Sequence, residues 1–194
     1  MNRRARRRRR RWLALGTGAV VVGLAVGVLV ATGAFDKALQ ELTLPLKHED
    51  VIRQQAGEKG VDAALIAAVI YSESKFSDAT SSAGARGLMQ ITPEAAEFIA
   101  RQSKATSFEF EDLSDPEINI RYGTFLLKEL LERYDGDEAA ALAAYNAGPG
   151  NADKWGGSGL NVSDIPFPET RAYVEEVLDK QREYRRKYAK ELGY

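Results

Sequence analysis

Cysteine is absent from the 194 residues, and histidine occurs once, at His48. Without a thiol there is no disulfide framework, no thiolate metal site and no cysteine nucleophile. With one imidazole there is no Ser-His-Asp or Cys-His arrangement and no cluster of histidines to hold a metal. No metal and no other cofactor is therefore expected, and any chemistry has to run on carboxylates, hydroxyls or amides. Net charge is nearly absent too, with 27 basic against 28 acidic residues.

That balance conceals an asymmetry. Residues 1–11 hold eight arginines and no acid, and without those eight the 27 basic residues fall to 19 against 28 acidic ones, a net of −9 for the rest. Next comes Trp12 to Phe35, 24 residues without a charge. At about 1.5 Å per residue, a helix of that length reaches about 36 Å, more than the roughly 30 Å hydrocarbon core of a bilayer. One N-terminal transmembrane helix is therefore expected over 12–35, with Trp12 and Phe35 as interfacial aromatics. The arginine-rich flank at 1–11 stays cytoplasmic, so everything after Phe35 lies outside the cytoplasm on a single-pass membrane protein. An uncleaved signal anchor is favoured, because the apolar run exceeds the roughly 7–15 residues of a signal-peptide core and Thr32-Gly33-Ala34 is a weak cleavage site. A cleaved or twin-arginine export signal, giving a secreted protein, is the alternative, with Arg10-Arg11 just ahead of Trp12-Leu13. An arginine run in isolation reads as a nucleic-acid-binding arm. Abutting a spanning segment, it is explained by topology, and no nucleic-acid partner is expected.

Residues 36–46 read as a linker made partly apolar by Leu39, Leu42, Leu44 and Leu46. Residues 47–194 are long enough for one domain with its own core. Apolar residues recur at helical spacing in His48 to Gly60, Asp62 to Phe76, Pro93 to Gln102, Pro116 to Tyr134, Asp137 to Tyr145 and Thr170 to Leu192, separated by Ser, Gly, Asp and Pro clusters. Ser114-Asp115-Pro116 offers an N-cap followed by a first-turn proline, and Gly136 and Gly148-Pro149-Gly150 close helices. The domain is thus expected to be mainly α, with at most a small strand element near 80–92. The last helix, rich in both charges, reads as a solvated face.

The helix over 62–76 is the informative one. Ala63 to Ile70 are apolar on every side, which marks a helix buried in the core. Glu73 follows Ile66 by seven residues and Ile70 by three, and so projects from their face. A carboxyl there is partly desolvated, its pKa rises, and it stays protonated near neutrality as a general acid must. Position alone does not separate this from a solvated glutamate near a helix C-terminus.

Three segments do separate them. They are Ala67-Ala68-Val69-Ile70-Tyr71-Ser72-Glu73-Ser74-Lys75-Phe76; then Ser81-Ser82-Ala83-Gly84-Ala85-Arg86-Gly87-Leu88-Met89-Gln90-Ile91-Thr92-Pro93; then Ala143-Ala144-Tyr145-Asn146-Ala147-Gly148-Pro149-Gly150, followed by Trp155 and Glu169-Thr170-Arg171-Ala172-Tyr173-Val174. In order and spacing, over about 130 residues, they resemble the lytic transglycosylases of the soluble Slt type, whose lysozyme-like fold is related to goose-type lysozyme and to glycoside hydrolase family 23. Ser82 stands where that family commonly has proline, and the polar stretch from Arg101 to Asp112 matches none of its motifs. The N-terminal 35 residues are outside the resemblance.

The resemblance implies a lysozyme-like helical catalytic domain that cleaves peptidoglycan glycan strands with a single carboxyl. Glu73 is the implied acid/base, and Ser81, Met89, Gln90, Tyr145, Asn146 and Tyr173 are implied substrate-binding residues. Met89 and Gln90 would supply an apolar wall and an amide, and Tyr145 would tune or orient Glu73. From the residues alone, Ser81 also reads as a turn former, Asn146 as a helix C-cap and Tyr173 as core. Asp78 and Glu94 are the nearest candidates for a second acid, Glu94 being explained also by its first-turn position. A hydrolytic muramidase and a non-catalytic wall-binding module are the competing functions.

Overall fold

The computed structural model describes residues 27–28, 34–78, 80–81, 84–103 and 109–194. The arginine tail and nearly all of the expected membrane helix, and with them that expectation, lie outside the described residues. Among the described residues, no helix is long and apolar enough to cross a membrane. The chain divides into two compact units, Met1–Thr43 and Leu44–Tyr194. Most of the first unit's described part is a helix, α1 (Ala34–Thr43), where the sequence suggested a linker.

The second unit starts at Leu44 rather than at residue 47 because the chain is fastened there. Leu44 is buried at 1 % exposure. Tyr188 Oη donates to the Leu44 carbonyl at 2.7 Å, and Tyr184 Oη donates to that of Pro45 at 2.5 Å. The remaining elements are α2 (Glu49–Lys59), α3 (Ala63–Ser74), α4 (Pro93–Ser103), a 3₁₀ turn (Phe110–Ser114), α5 (Pro116–Arg133), α6 (Glu138–Ala147), α7 (Pro149–Lys154), a second 3₁₀ turn (Val162–Asp164), α8 (Pro168–Lys187) and α9 (Ala189–Leu192). Among the described residues, the expected strand element reduces to isolated bridges, Thr80 with Arg86 and Arg86 with Ile91.

Helix α3 is the axis of the domain. Asp62 caps it by accepting the Leu65 amide at 2.8 Å, and Ala63 to Ile70 are all buried, as all-round apolarity requires. It packs most extensively on α8, and α6 also packs on α8. Helix α6 can come close because Ala140, Ala141, Ala143 and Ala144 put only methyl groups at the contact. At its end, α3 stops on Lys75 and Phe76, both in left-handed backbone (φ 51° and 59°). Such a conformation in two side-chain-bearing residues is held by its surroundings: Lys47 Nζ donates to the Phe76 carbonyl at 3.2 Å, and Phe76 is buried.

Two helix ends differ from the sequence expectation. Gly148 does end α6, but its φ of 85° also redirects the chain so that Pro149 starts α7 immediately, at the first-turn position proline favours. The last helix breaks at Tyr188 and resumes as α9. Asp115 caps α5 as expected, accepting from the amides of Glu117 and Ile118.

Candidate active site

Glu73 is the penultimate residue of α3, on the face of Ile66 and Ile70, which are fully buried. Burial pushes its carboxyl up to about 7, while the nearby Tyr173 hydroxyl pulls in the opposite direction. Other perturbed carboxyls go the other way: Glu58, Asp153 and Glu183 are lowered, first of all by hydrogen bonds from Gln54, Arg133 and Lys187 respectively. Near neutrality Glu73 is therefore poised between acid and base.

Tyr145 on α6 and Tyr173 on α8 close on this carboxyl from two helices. Burial, then the negative charge of Glu73, pushes both phenols well above their ordinary value, so both remain protonated donors. Tyr145 Oη donates to the Met89 carbonyl at 2.8 Å. The Tyr173 hydroxyl is buried and makes no hydrogen bond of standard geometry. The group it acts on is Glu73, whose carboxyl it draws down as a donor.

The loop carrying residues 84–91 is tied to α3 beside the acid. Ser74 Oγ donates to the Leu88 carbonyl at 2.7 Å and to that of Ile70 at 3.1 Å. Ser81 Oγ accepts from the Ala85 amide at 3.0 Å, so its side chain shapes the loop and makes no described bond to Glu73. Gln90 adopts left-handed backbone (φ 47°), and its amide nitrogen donates to the Gly87 carbonyl at 2.8 Å. Met89, expected to give the cleft an apolar wall, is fully buried instead. Its side chain fills the space left by Gly123 on α5, where an added Cβ would stand 2.8 Å from that of Met89. What Met89 offers the site is its backbone carbonyl.

Asn146 is exposed within α6 and is not its C-cap, which is Gly148. It lines two clefts. One, of about 660 Å³, lies between α4, α5 and the end of α6 and is lined by Glu94, Phe98, Leu126, Arg133 and Tyr145 among others. The other, of about 450 Å³, is bordered by Asn151, Phe167, Glu169 and Thr170. Glu73 lines neither, and Tyr145 connects it to the larger. Among the described residues, no three acidic or imidazole groups converge on a position for a metal ion.

Sequence reasoning missed Ser74 and Asn119. Asn119 on α5 is fully buried, accepts from the Met89 amide at 2.8 Å and donates to the carbonyls of Arg86 and Leu113, each at 2.9 Å. The available signal was an asparagine among the otherwise apolar positions Ile118, Ile120 and Tyr122, a residue that belongs there only if the core supplies it with partners.

The family model for the transglycosylase SLT domain matches residues 50–165. The chain belongs to this family. Over 154 residues it is 32 % identical to the soluble lytic murein transglycosylase of Escherichia coli K12, covering 75 % of this chain and 24 % of that one. The membrane-bound lytic murein transglycosylase C of Edwardsiella ictaluri is 31 % identical over 170 residues, 72 % of this chain and 47 % of its own. An inactive Glu-to-Gln mutant of the lytic transglycosylase Slt from Pseudomonas aeruginosa superposes with a TM-score of 0.72 at 32 % identity, over 77 % of this chain and 26 % of that one. The chain thus spans about a quarter of the length of the soluble curated relatives it matches, and the SLT domain is the shared part.

Proposed function

We propose that the SLT domain of this chain is a peptidoglycan lytic transglycosylase with Glu73 as its sole general acid/base. The observation that carries this is the position of Glu73: a carboxyl at the end of a buried helix, pushed up to about 7, with two protonated tyrosines beside it. Protonated Glu73 gives its proton to the glycosidic oxygen between N-acetylmuramic acid and N-acetylglucosamine as the C1–O bond breaks. As carboxylate it then takes the proton of the muramoyl 6-hydroxyl while that oxygen closes onto C1, which restores the acid and leaves a 1,6-anhydromuramoyl end. The nucleophile is intramolecular and already adjacent, so a second carboxylate is dispensable.

Tyr173 acts as a donor to the Glu73 carboxyl, and Tyr145 holds the carbonyl of Met89 and keeps Glu73 in a low-polarity surrounding. Asn146, shared by both clefts, and Gln90 meet the acetamido and hydroxyl groups of the strand, while Ser81 shapes the loop. Digesting purified peptidoglycan with the protein and weighing the muropeptides tests the reaction: anhydro ends are expected, and reducing ends, heavier by one water, would make it a muramidase. Glu73→Gln should abolish turnover, which a wall-binding module would never show.

We further propose that residues 12–35 anchor the domain outside the cytoplasmic membrane with residues 1–11 inside. The uncharged run and its arginine flank support this, and a membrane-bound form occurs by name among the relatives. The mass of the mature protein from membranes tests it, since a chain shortened near Ala34 would mean a secreted enzyme.

A further inference from the structure

Helix α5 carries none of the residues assigned to the chemistry above, yet it is the surface on which the 86–90 loop is built. Asn119 uses its whole amide on that loop and its neighbour, through Met89, Arg86 and Leu113. Four residues on, Gly123 makes room for the Met89 side chain on the same face of the helix. Gly87 passes so close that an added Cβ would stand 2.5 Å from the Leu113 carbonyl oxygen and closer still to the Asn119 amide. From the opposite side, Ser74 holds the Leu88 carbonyl and Tyr145 holds that of Met89.

We propose that Asn119 is a positioning residue for the reaction, acting through the Met89 peptide on Tyr145 and Glu73; this rests on the reading of the domain as a lytic transglycosylase with Glu73 as acid. The Met89 amide is fixed by Asn119, the Met89 carbonyl fixes the Tyr145 hydroxyl, and Tyr145 stands in the field of Glu73. Gln90, next in the chain, keeps its left-handed backbone because its neighbours on both sides are pinned. Without the amide, the Met89 N–H and the Leu113 carbonyl lose their partner in the core, and the Arg86 carbonyl keeps only the Ile91 amide. The loop must then move to find water. That movement takes the tyrosine's acceptor with it and opens the space that desolvates Glu73. Asn119→Asp has the same shape and keeps an acceptor for Met89, but it sets an oxygen against two carbonyls.

The test is the pH profile of anhydromuropeptide release by the full chain and by Asn119→Ala and Asn119→Asp, at a temperature where circular dichroism shows the variants folded. The expected result is a kcat lower by about 100-fold, the scale of a misplacement near 1 Å, with a smaller change in KM. The alkaline limb should move to lower pH as water reaches Glu73. Ser74→Ala combined with Asn119→Ala should be non-additive, since both hold one loop. A folded Asn119→Ala enzyme with unchanged kcat and an unmoved limb overturns the proposal. If neither variant folds, hydrogen exchange of the unaltered chain decides: a Met89 amide as protected as those of Ala67 and Ala68 supports it, and one exchanging at surface rates overturns it. An unaltered chain that releases no anhydro product would sink the reading of function itself, an outcome distinct from indifferent Asn119 variants of an active enzyme.

Discussion

The hydroxyl of Tyr173 and the carboxyl of Glu73 perturb each other in opposite directions: the phenol draws the carboxyl down against a larger desolvation, and the carboxylate drives the phenol up. Glu73 is thus held near 7 by two opposed effects, and changing either one moves the pH at which it works. Tyr173→Phe removes the donor and leaves the burial. The carboxyl should then rise above about 7, and the alkaline limb of kcat/KM, where the acid is lost, should move to higher pH. A pH–rate profile of the variant checks this, and a limb shifted to lower pH would refute it.

The same elevation has a cost in stability. The folded carboxyl titrates near 7 and the unfolded one near 4.5, so the unfolded chain loses its proton first as pH rises. The stabilisation of the protonated form is complete below about 4.5 and is lost as pH climbs through 7. It amounts to about 3 kcal/mol over that window at roughly 1.4 kcal/mol per pH unit. Glu73→Gln, which cannot ionise, should therefore be less active but more stable than the unaltered protein at pH 8. The two should converge at pH 4, as read by urea unfolding at each pH.

Two glycines should respond to alanine in opposite senses. Gly87 has φ of 75° and no space for a Cβ, so Gly87→Ala should destabilise by about 3 kcal/mol through backbone strain and displacement of Asn119. Gly57, inside α2 with nothing within 4 Å of an added Cβ, should gain from the same change by about 0.5–1 kcal/mol. Thermal melts of the two variants side by side check both signs.

Leu44 tests where the domain starts. It is buried, three residues ahead of the boundary that composition suggests. Leu44→Ala should cost about 2–4 kcal/mol, the range for a large-to-small change in a core. The neighbouring Leu42, at 82 % exposure, should be nearly indifferent to the same change. Denaturant midpoints of the two variants decide.

Much of this molecule was legible residue by residue. The all-round apolarity of Ala63 to Ile70 identified the buried helix, its period put Glu73 on the core face, and Asp115-Pro116 marked a helix start that the backbone follows. What escaped depends on partners distant in the chain. Met89 reads as a cleft residue by motif, and only the gap at Gly123, 34 residues on, shows why its side chain turns inward while its carbonyl serves the site. Ser81 looks like a candidate ligand, and a bond four residues away makes it a loop brace. Leu44 reads as linker until Tyr188, 144 residues later, is found holding its carbonyl. Composition reports what a residue can do; its long-range partners select among those possibilities.

The fastening of Leu44 and Pro45 by Tyr188 and Tyr184 also has a mechanical meaning. Any tug arriving along the chain from the N-terminal side is met first by two phenols, Tyr184 on α8 and Tyr188 at the break after it, and next by the bond from Lys47 to the Phe76 carbonyl. The end of α8 and the break after it therefore take such a pull before it reaches the acid-bearing turn of α3.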